Sequence, residues 1–152
     1  MNVAKAAGAY TLYSLHSYAT VSVALQNRRF LRRGSPKMVA GGTLLSLSGL
    51  SLYAASVRRF SSFQQVSGLE AGELVTGGVH RYTRNPQIVG WGLALLGTAL
   101  AGRSSKALAL VAAYFLVHRL YLLFEERSLE RAFGEEYRRY RARAPRFLGL
   151  PG

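Results

Sequence analysis

The chain has 152 residues, 49% of them hydrophobic, and a formal charge of +13. It is one domain by length, and soluble domains rarely combine so apolar a composition with so strong a charge. The absence of cysteine excludes disulfides, thiolate metal ligands and cysteine nucleophiles, and three scattered histidines argue against a protein-bound metal.

The apolar and basic residues are segregated along the chain, as a bilayer requires. Uncharged runs cover residues 6–26, 38–57 and 87–102, and a fourth, 107–124, carries His118 and Arg119 near its end. A spanning helix needs about 20 apolar residues at roughly 1.5 Å rise each. The first two runs meet that length, while the last two fit as tilted, snorkelling or partly sheltered helices. The first run has no compact basic segment before it and no clear small-residue cleavage site, so it is expected to be retained and not removed as a secretory signal.

The first hairpin turns through Arg28, Arg29, Arg32, Arg33, Gly34, Ser35, Pro36 and Lys37, where Gly and Pro break the helix and the charges hold the turn out of lipid. In the second helix Gly41, Gly42, Ser46 and Gly49 form a stripe of small residues that allows close helix packing and permits self-association. Residues 58–86 form a long polar stretch with Glu70, Glu73, Gly77 and Gly78 before a basic aromatic segment. After a short third helix and a tight turn, the fourth continues into a charged tail helix that sets Leu129, Phe133, Tyr137 and Tyr140 close to one face. The expected architecture is therefore all-α: an integral membrane bundle of about four transmembrane helices with a C-terminal amphipathic interfacial helix. Residues 1–57 would form an N-terminal hairpin and residues 58–152 a core of loop, two helices and tail.

Four crossings put the N-terminus, the long loop and the tail on one side, with 12 of the 20 Lys and Arg residues and all seven acidic ones. The positive-inside rule places that side in the cytoplasm. The basic residues flank apolar runs, so the expected partners are anionic lipids and not nucleic acid. Two polar segments meet there: Gly78-Val79-His80-Arg81-Tyr82-Thr83-Arg84-Asn85-Pro86, and Glu125-Glu126 followed by Phe133-Gly134-Glu135-Glu136-Tyr137. Charges at a membrane boundary are expensive to desolvate, which suggests a site lined by both signs.

Residues 78–86, with Gly90 following, resemble the "G-P-Y-R-Y-V-R-H-P-x-Y-x-G" signature of the isoprenylcysteine carboxyl methyltransferase and phospholipid methyltransferase superfamily. Glu125, Glu126, Leu129, Phe133, Gly134, Tyr137, Tyr140, Pro145 and Arg146 resemble its "E-E-x-x-L-x-x-x-F-G-x-x-Y-x-x-Y" tail. The resemblance covers residues 76–151. His80 stands where an aromatic is usual, Asn85 where histidine is usual and Ile88 where tyrosine is common; the Asn-Pro pair resembles the phosphatidylethanolamine methyltransferase branch.

This resemblance implies an S-adenosylmethionine-dependent methyltransferase, with the cofactor in a pocket open to the cytoplasm and a lipophilic acceptor arriving from the bilayer. The cofactor would be held by Gly78, His80, Arg81, Tyr82, Asn85, Pro86, Glu125, Glu126 and Tyr137. Glu125 or Glu126 with Arg81 or Arg84 would match its ammonium and carboxylate, and Tyr82, His80 or Tyr137 would stack on its adenine. Arg81, Arg84, Arg119 and Glu126 are expected at the reacting end. A carboxylate or phosphate acceptor would be oriented by an arginine, whereas an amine or thiol would need a base, His80 or a glutamate. The competing expectations are a non-catalytic helical subunit or lipid-binding scaffold, and a sterol-reductase-like enzyme using NADPH.

Overall fold

The computed structural model describes residues 3–26, 35–60 and 73–150, with the backbone alone for residues 3–10. The basic turn from Arg28 to Gly34, and Glu70, lie outside the described residues. Four helices account for the fold: α1 (Val3–Gln26), α2 (Pro36–Val57), α3 (Pro86–Ala101) and α4 (Ser105–Arg143), with a short 3-10 turn, Gly78–Arg81, before α3. The described residues contain no strand. Pro36 and Pro86 open their helices at the first turn, where a missing N–H costs nothing. Ser104 caps α4, its Oγ accepting from the Ala107 amide at 3.2 Å.

Helix α3 is the centre of the molecule. Gly90, Gly92, Ala94, Leu95, Gly97 and Ala99 are buried, with α1, α2 and α4 packed around the helix. Its contact with α2 is nearly backbone on backbone: a Cβ added to Gly49 would stand 2.5 Å from Ala94 N and Gly90 O, and one added to Gly42 2.6 Å from Gly97 O. Ser46 joins the same line by donating to Ala94 O at 2.9 Å. Gly41, one residue and about 100° around the helix from Gly42, has open space beyond it. The small residues that the sequence offers for self-association are thus largely taken up within the chain.

Aromatic and hydroxyl groups bind α1 and α4 to α3. Trp91 Nε1 donates to Ser17 Oγ at 2.9 Å, and Tyr114 OH donates to Ile88 O at 3.1 Å. The Tyr13 ring lies 5.6 Å from Trp91 and 6.0 Å from Tyr114.

The outward faces are apolar. Leu12, Leu15, Leu44, Leu47, Leu116, Leu120 and Phe124 are all more than half exposed. Helices α2 and α4 are long and apolar enough to cross a bilayer, with mean hydropathies of 1.4 and 1.9 in their most apolar stretches, while α3 is shorter. Small residues inside and large apolar ones outside are the arrangement of a protein associated with lipid.

The tail departs from a simple continuous helix. Gly134 breaks α4 with φ 51 and ψ −121, a conformation that glycine adopts without a Cβ penalty. Across this break Tyr137, Tyr140 and Ala144 are buried against Leu129, Phe133 and Leu74. The tail's aromatic face therefore packs on the segment leading into the 3-10 turn.

Candidate functional site

The loop preceding α3 and the start of the tail meet at one end of the helices. Arg84 Nη2 lies 3.0 Å from Glu126 Oε1. Arg146 grips the same carboxylate in bidentate fashion, Nε to Oε1 at 2.8 Å and Nη2 to Oε2 at 2.7 Å. The Glu126 side chain is only 10% exposed and that of Arg84 9%, so this is a desolvated charge cluster with net positive charge, held by short charge-assisted hydrogen bonds.

Backbone contacts strap the C-terminal segment to the loop. The amide of Arg84 donates to Pro145 O at 2.9 Å and that of Gly149 to Tyr82 O at 3.2 Å. Asn85 Nδ2 donates to Arg146 O at 2.9 Å, and Thr83 Oγ1 donates to the same carbonyl at 3.3 Å. Tyr140 OH, on the far side of the Gly134 break, donates to His80 O at 2.8 Å. Loop conformation and tail position are therefore set together.

Beside this network two groups keep unsatisfied valence. Glu125 is half-buried and has no ion-pair partner among the described residues. It follows the apolar run of α4, and burial, reinforced by the neighbouring Glu126, raises its carboxyl to about 7. Arg84 spends Nη2 on Glu126, but its Nε and Nη1 are buried without an acceptor among the described residues. Such groups cost free energy until something meets them.

The other face of the loop lines an open cleft of about 570 Å³ formed by Ala55, Arg59, Gly78, Val79, Arg81 and Tyr82. Gly78 has φ +62, and a Cβ there would come within 2.8 Å of the Arg59 guanidinium. The glycine thus supplies both the backbone turn and the room for Arg59.

The residues expected from the sequence separate into three groups. Arg84, Asn85, Glu125, Glu126 and Tyr137 gather on the tail side of the loop, with Pro86 starting α3 beside them. Gly78, Arg81 and Tyr82 line the cleft. Arg119 stands apart, exposed on α4 without an ion pair among the described residues.

Of the three rings expected to stack on an adenine, only Tyr82 is exposed; His80 and Tyr137 are 3% and 1% exposed. His80 packs edge-on against Phe60, with ring centroids 5.7 Å apart, and both ring nitrogens are buried without a partner among the described residues. Burial, with the Arg59 charge adding to it, lowers its pKa to about 4. As folded, His80 is therefore a buried imidazole held neutral by its surroundings.

Arg59 and the strap role of Arg146 were missed in the sequence. Arg59 follows the end of α2 as one of two adjacent arginines, with nothing to distinguish it from ordinary boundary charges, and Arg146 belongs to the tail motif without any local sign of its partner.

Comparison with known proteins agrees with the geometry. The chain matches no curated protein and no solved structure. The sequence profile of the family described as "Phospholipid methyltransferase" matches residues 37–136. That stretch takes in α2, α3, the motif loop and Glu125–Glu126, and it extends the likeness N-terminally beyond the two motifs. With about two thirds of its length matched, the chain belongs to the phospholipid methyltransferase family, a family of methyltransferases acting on membrane lipid-type substrates.

Proposed function

We propose that this protein transfers a methyl group from S-adenosylmethionine to a lipophilic acceptor resident in the bilayer. In this reading the four helices cross the membrane and the site end faces the cytoplasm. Residues 1–57 form the supporting hairpin and residues 58–152 the catalytic core, and anionic lipids surround the basic boundary. The observation that carries the reading is the ion pair between Arg84 of the loop motif and Glu126 of the tail motif, which unites the two halves of the family likeness in one site.

The residues fit the cofactor's amino-acid end. Among the described residues Glu125 is a carboxyl without a cation, and Arg84 is a guanidinium whose buried Nε and Nη1 lack an acceptor. Together they complement an ammonium and a carboxylate on one small molecule. Glu126 is already engaged by both Arg84 and Arg146, so its part is to hold Arg84 in position. Tyr82 is the exposed ring available for stacking. When bound, the cofactor supplies a methyl group on an activated sulfonium, so the protein's own work is alignment and exclusion of water. No nucleophilic side chain is needed, consistent with the absence of cysteine.

The test uses purified full-length protein in detergent micelles. S-adenosylhomocysteine should bind in the micromolar range, and Glu125→Gln should weaken it about tenfold. A membrane lipid extract incubated with methyl-labelled cofactor should gain label in a lipid band. Failure of the wild-type protein to bind the nucleoside at millimolar concentration would overturn the reading and favour a non-catalytic scaffold.

A further inference from the structure

Two of the three histidines, His16 and His118, lie inside the apolar runs 6–26 and 107–124, apart from the charge cluster and the open cleft. An imidazole at that depth is costly to keep unless something meets its nitrogens. Both rings converge on Tyr114: the His118 ring lies 4.0 Å from it between centroids, and the His16 ring, on α1, lies 5.9 Å from it. Tyr13 completes the group, 6.0 Å from His118 and 5.6 Å from Trp91 of α3. Helices α1, α3 and α4 thus enclose a small polar patch within an apolar bundle.

The hydrogen bonds of this patch leave two ring nitrogens over. His118 Nδ1 lies 2.8 Å from Tyr114 O. A carbonyl only accepts, so Nδ1 carries a proton and the neutral ring presents its lone pair at Nε2. His16 Nε2 is buried without a partner among the described residues, a group that costs free energy until a ligand meets it. The rings that form the patch bring no guanidinium, ammonium or carboxylate with them. Arg119, the residue after His118, is exposed and about 100° further round the helix.

We propose that this patch seats the reacting head of the acceptor, with His118 Nε2 as the base that takes its proton and His16 Nε2 as a second hydrogen-bond contact. The proposal rests on the methyltransferase reading. Position links the patch to the chemistry. Glu125 follows His118 by an interval within about 20° of two full turns, so the two share a helix face and stand roughly 10.5 Å apart along the axis. The helix break at Gly134 lies beyond both. With the cofactor's ammonium at Glu125, its methyl group, a few bonds away, falls in that interval. Tyr114 OH donates to Ile88 O at 3.1 Å, which ties the patch to the first turn of α3, directly after the motif loop.

In the transfer, the head's heteroatom gives its lone pair to the methyl carbon, the carbon–sulfur bond breaks with its electron pair kept by sulfur, and the hydrogen on the heteroatom passes as a proton to His118 Nε2. The imidazolium returns that proton to water once the product leaves. Such a base serves a head that bears N–H, O–H or S–H. It does nothing for a carboxylate, which has no proton to lose and would need a cation that the patch lacks. The reacting group is thereby a hydrogen-bond donor and not an anion.

The first test needs no turnover. The full chain in lipid nanodiscs, with its histidines labelled with nitrogen-15, is titrated with dodecylamine, dodecanethiol and dodecanoate. The His118 spectrum of the free protein should show the tautomer protonated at Nδ1. The amine or the thiol should shift the ring signals of His118 and His16 but not those of His80, and dodecanoate should shift none of them. The second test follows label from methyl-labelled cofactor into a membrane lipid extract. His118→Asn, which keeps an N–H for Tyr114 O, should lower the rate about 100-fold with S-adenosylhomocysteine affinity within twofold of wild type. Free imidazole should restore part of the rate to His118→Ala. His16→Gln should raise KM more than it lowers kcat.

A wild-type rate in His118→Asn overturns the base role, and so does a loss of nucleoside affinity as large as the loss of rate. Ring signals that respond to dodecanoate as they do to the amine, or to none of the three probes, overturn the donor-head pocket. Ring shifts with the amine in a wild-type protein that binds no nucleoside would remove the methyltransferase reading and leave the pocket standing.

Discussion

Glu126 accepts hydrogen bonds from Arg84 on one side and Arg146 on the other, with Arg84 Nη2 and Arg146 Nε converging on the same Oε1 at 3.0 and 2.8 Å. One carboxylate therefore ties the loop before α3, the α4 helix and the C-terminal segment into a single unit. Substituting Glu126 by Gln leaves two guanidiniums facing each other with little water to screen them. Removing one partner of a buried ion network costs roughly 3–5 kcal/mol, and the part-exposure of Arg146 moves the expected loss to the lower end. Thermal unfolding in detergent should show a clear drop for Glu126→Gln and a smaller one for Arg146→Gln. Equal stability of Glu126→Gln and wild type would show that the network does not bear on folding.

Glu125 has the opposite character, having no ion-pair partner among the described residues and being protonated more readily than an ordinary glutamate. A carboxyl whose folded pKa is raised to about 7 contributes stability below its ordinary pKa and loses it as pH rises from about 4.5 to 7, because ionisation is penalised in the folded state. Binding of an ammonium ligand has the reverse sign, since it requires the ionised form. S-adenosylhomocysteine affinity should therefore increase between pH 5.5 and 7.5, approaching a tenfold change per pH unit at the acid end. In Glu125→Gln that slope should vanish; a slope that survives would assign the titration elsewhere.

Close packing of α2 on α3 predicts a sharp contrast between two glycines of α2, Gly49 and Gly41. Gly49→Ala drives a methyl into the backbone of Gly90 and Ala94, and overpacking of this kind costs about 1–3 kcal/mol. Gly41→Ala meets open space and gains helix propensity, so its effect should lie between neutral and about 1 kcal/mol stabilising. Unfolding temperatures of the two variants measured side by side decide this, and equal losses would mean that both glycines face a neighbour.

Tyr140→Phe removes the hydroxyl that donates to His80 O across the Gly134 break. The buried carbonyl is left without that partner, at an expected cost of about 1–3 kcal/mol. Hydrogen exchange should quicken at the amides of His80 and Tyr82, which close the 3-10 turn. Protection unchanged at both would show that the turn is held by its own backbone bonds.

The positions of the helices were legible in the sequence because apolar run length, proline at helix starts and glycine in turns act locally. Expected runs at 6–26, 38–57 and 87–102 lie within a few residues of α1, α2 and α3. The meeting of residues 78–86 with Glu125 and Glu126 was also readable, since a hairpin of two helices returns the chain to the side it left. Tertiary structure alone decided that Arg84, and not Arg81, takes Glu126, and that His80 and Tyr137 are buried while Tyr82 is exposed. It also decided that Gly42, Ser46 and Gly49 face α3 while Gly41 does not, and that Arg59 enters the cleft beside Gly78. The physical reason is range: helix formation depends on neighbours within a few residues, whereas the choice among several arginines, or among several faces of one helix, depends on groups brought together from distant parts of the chain.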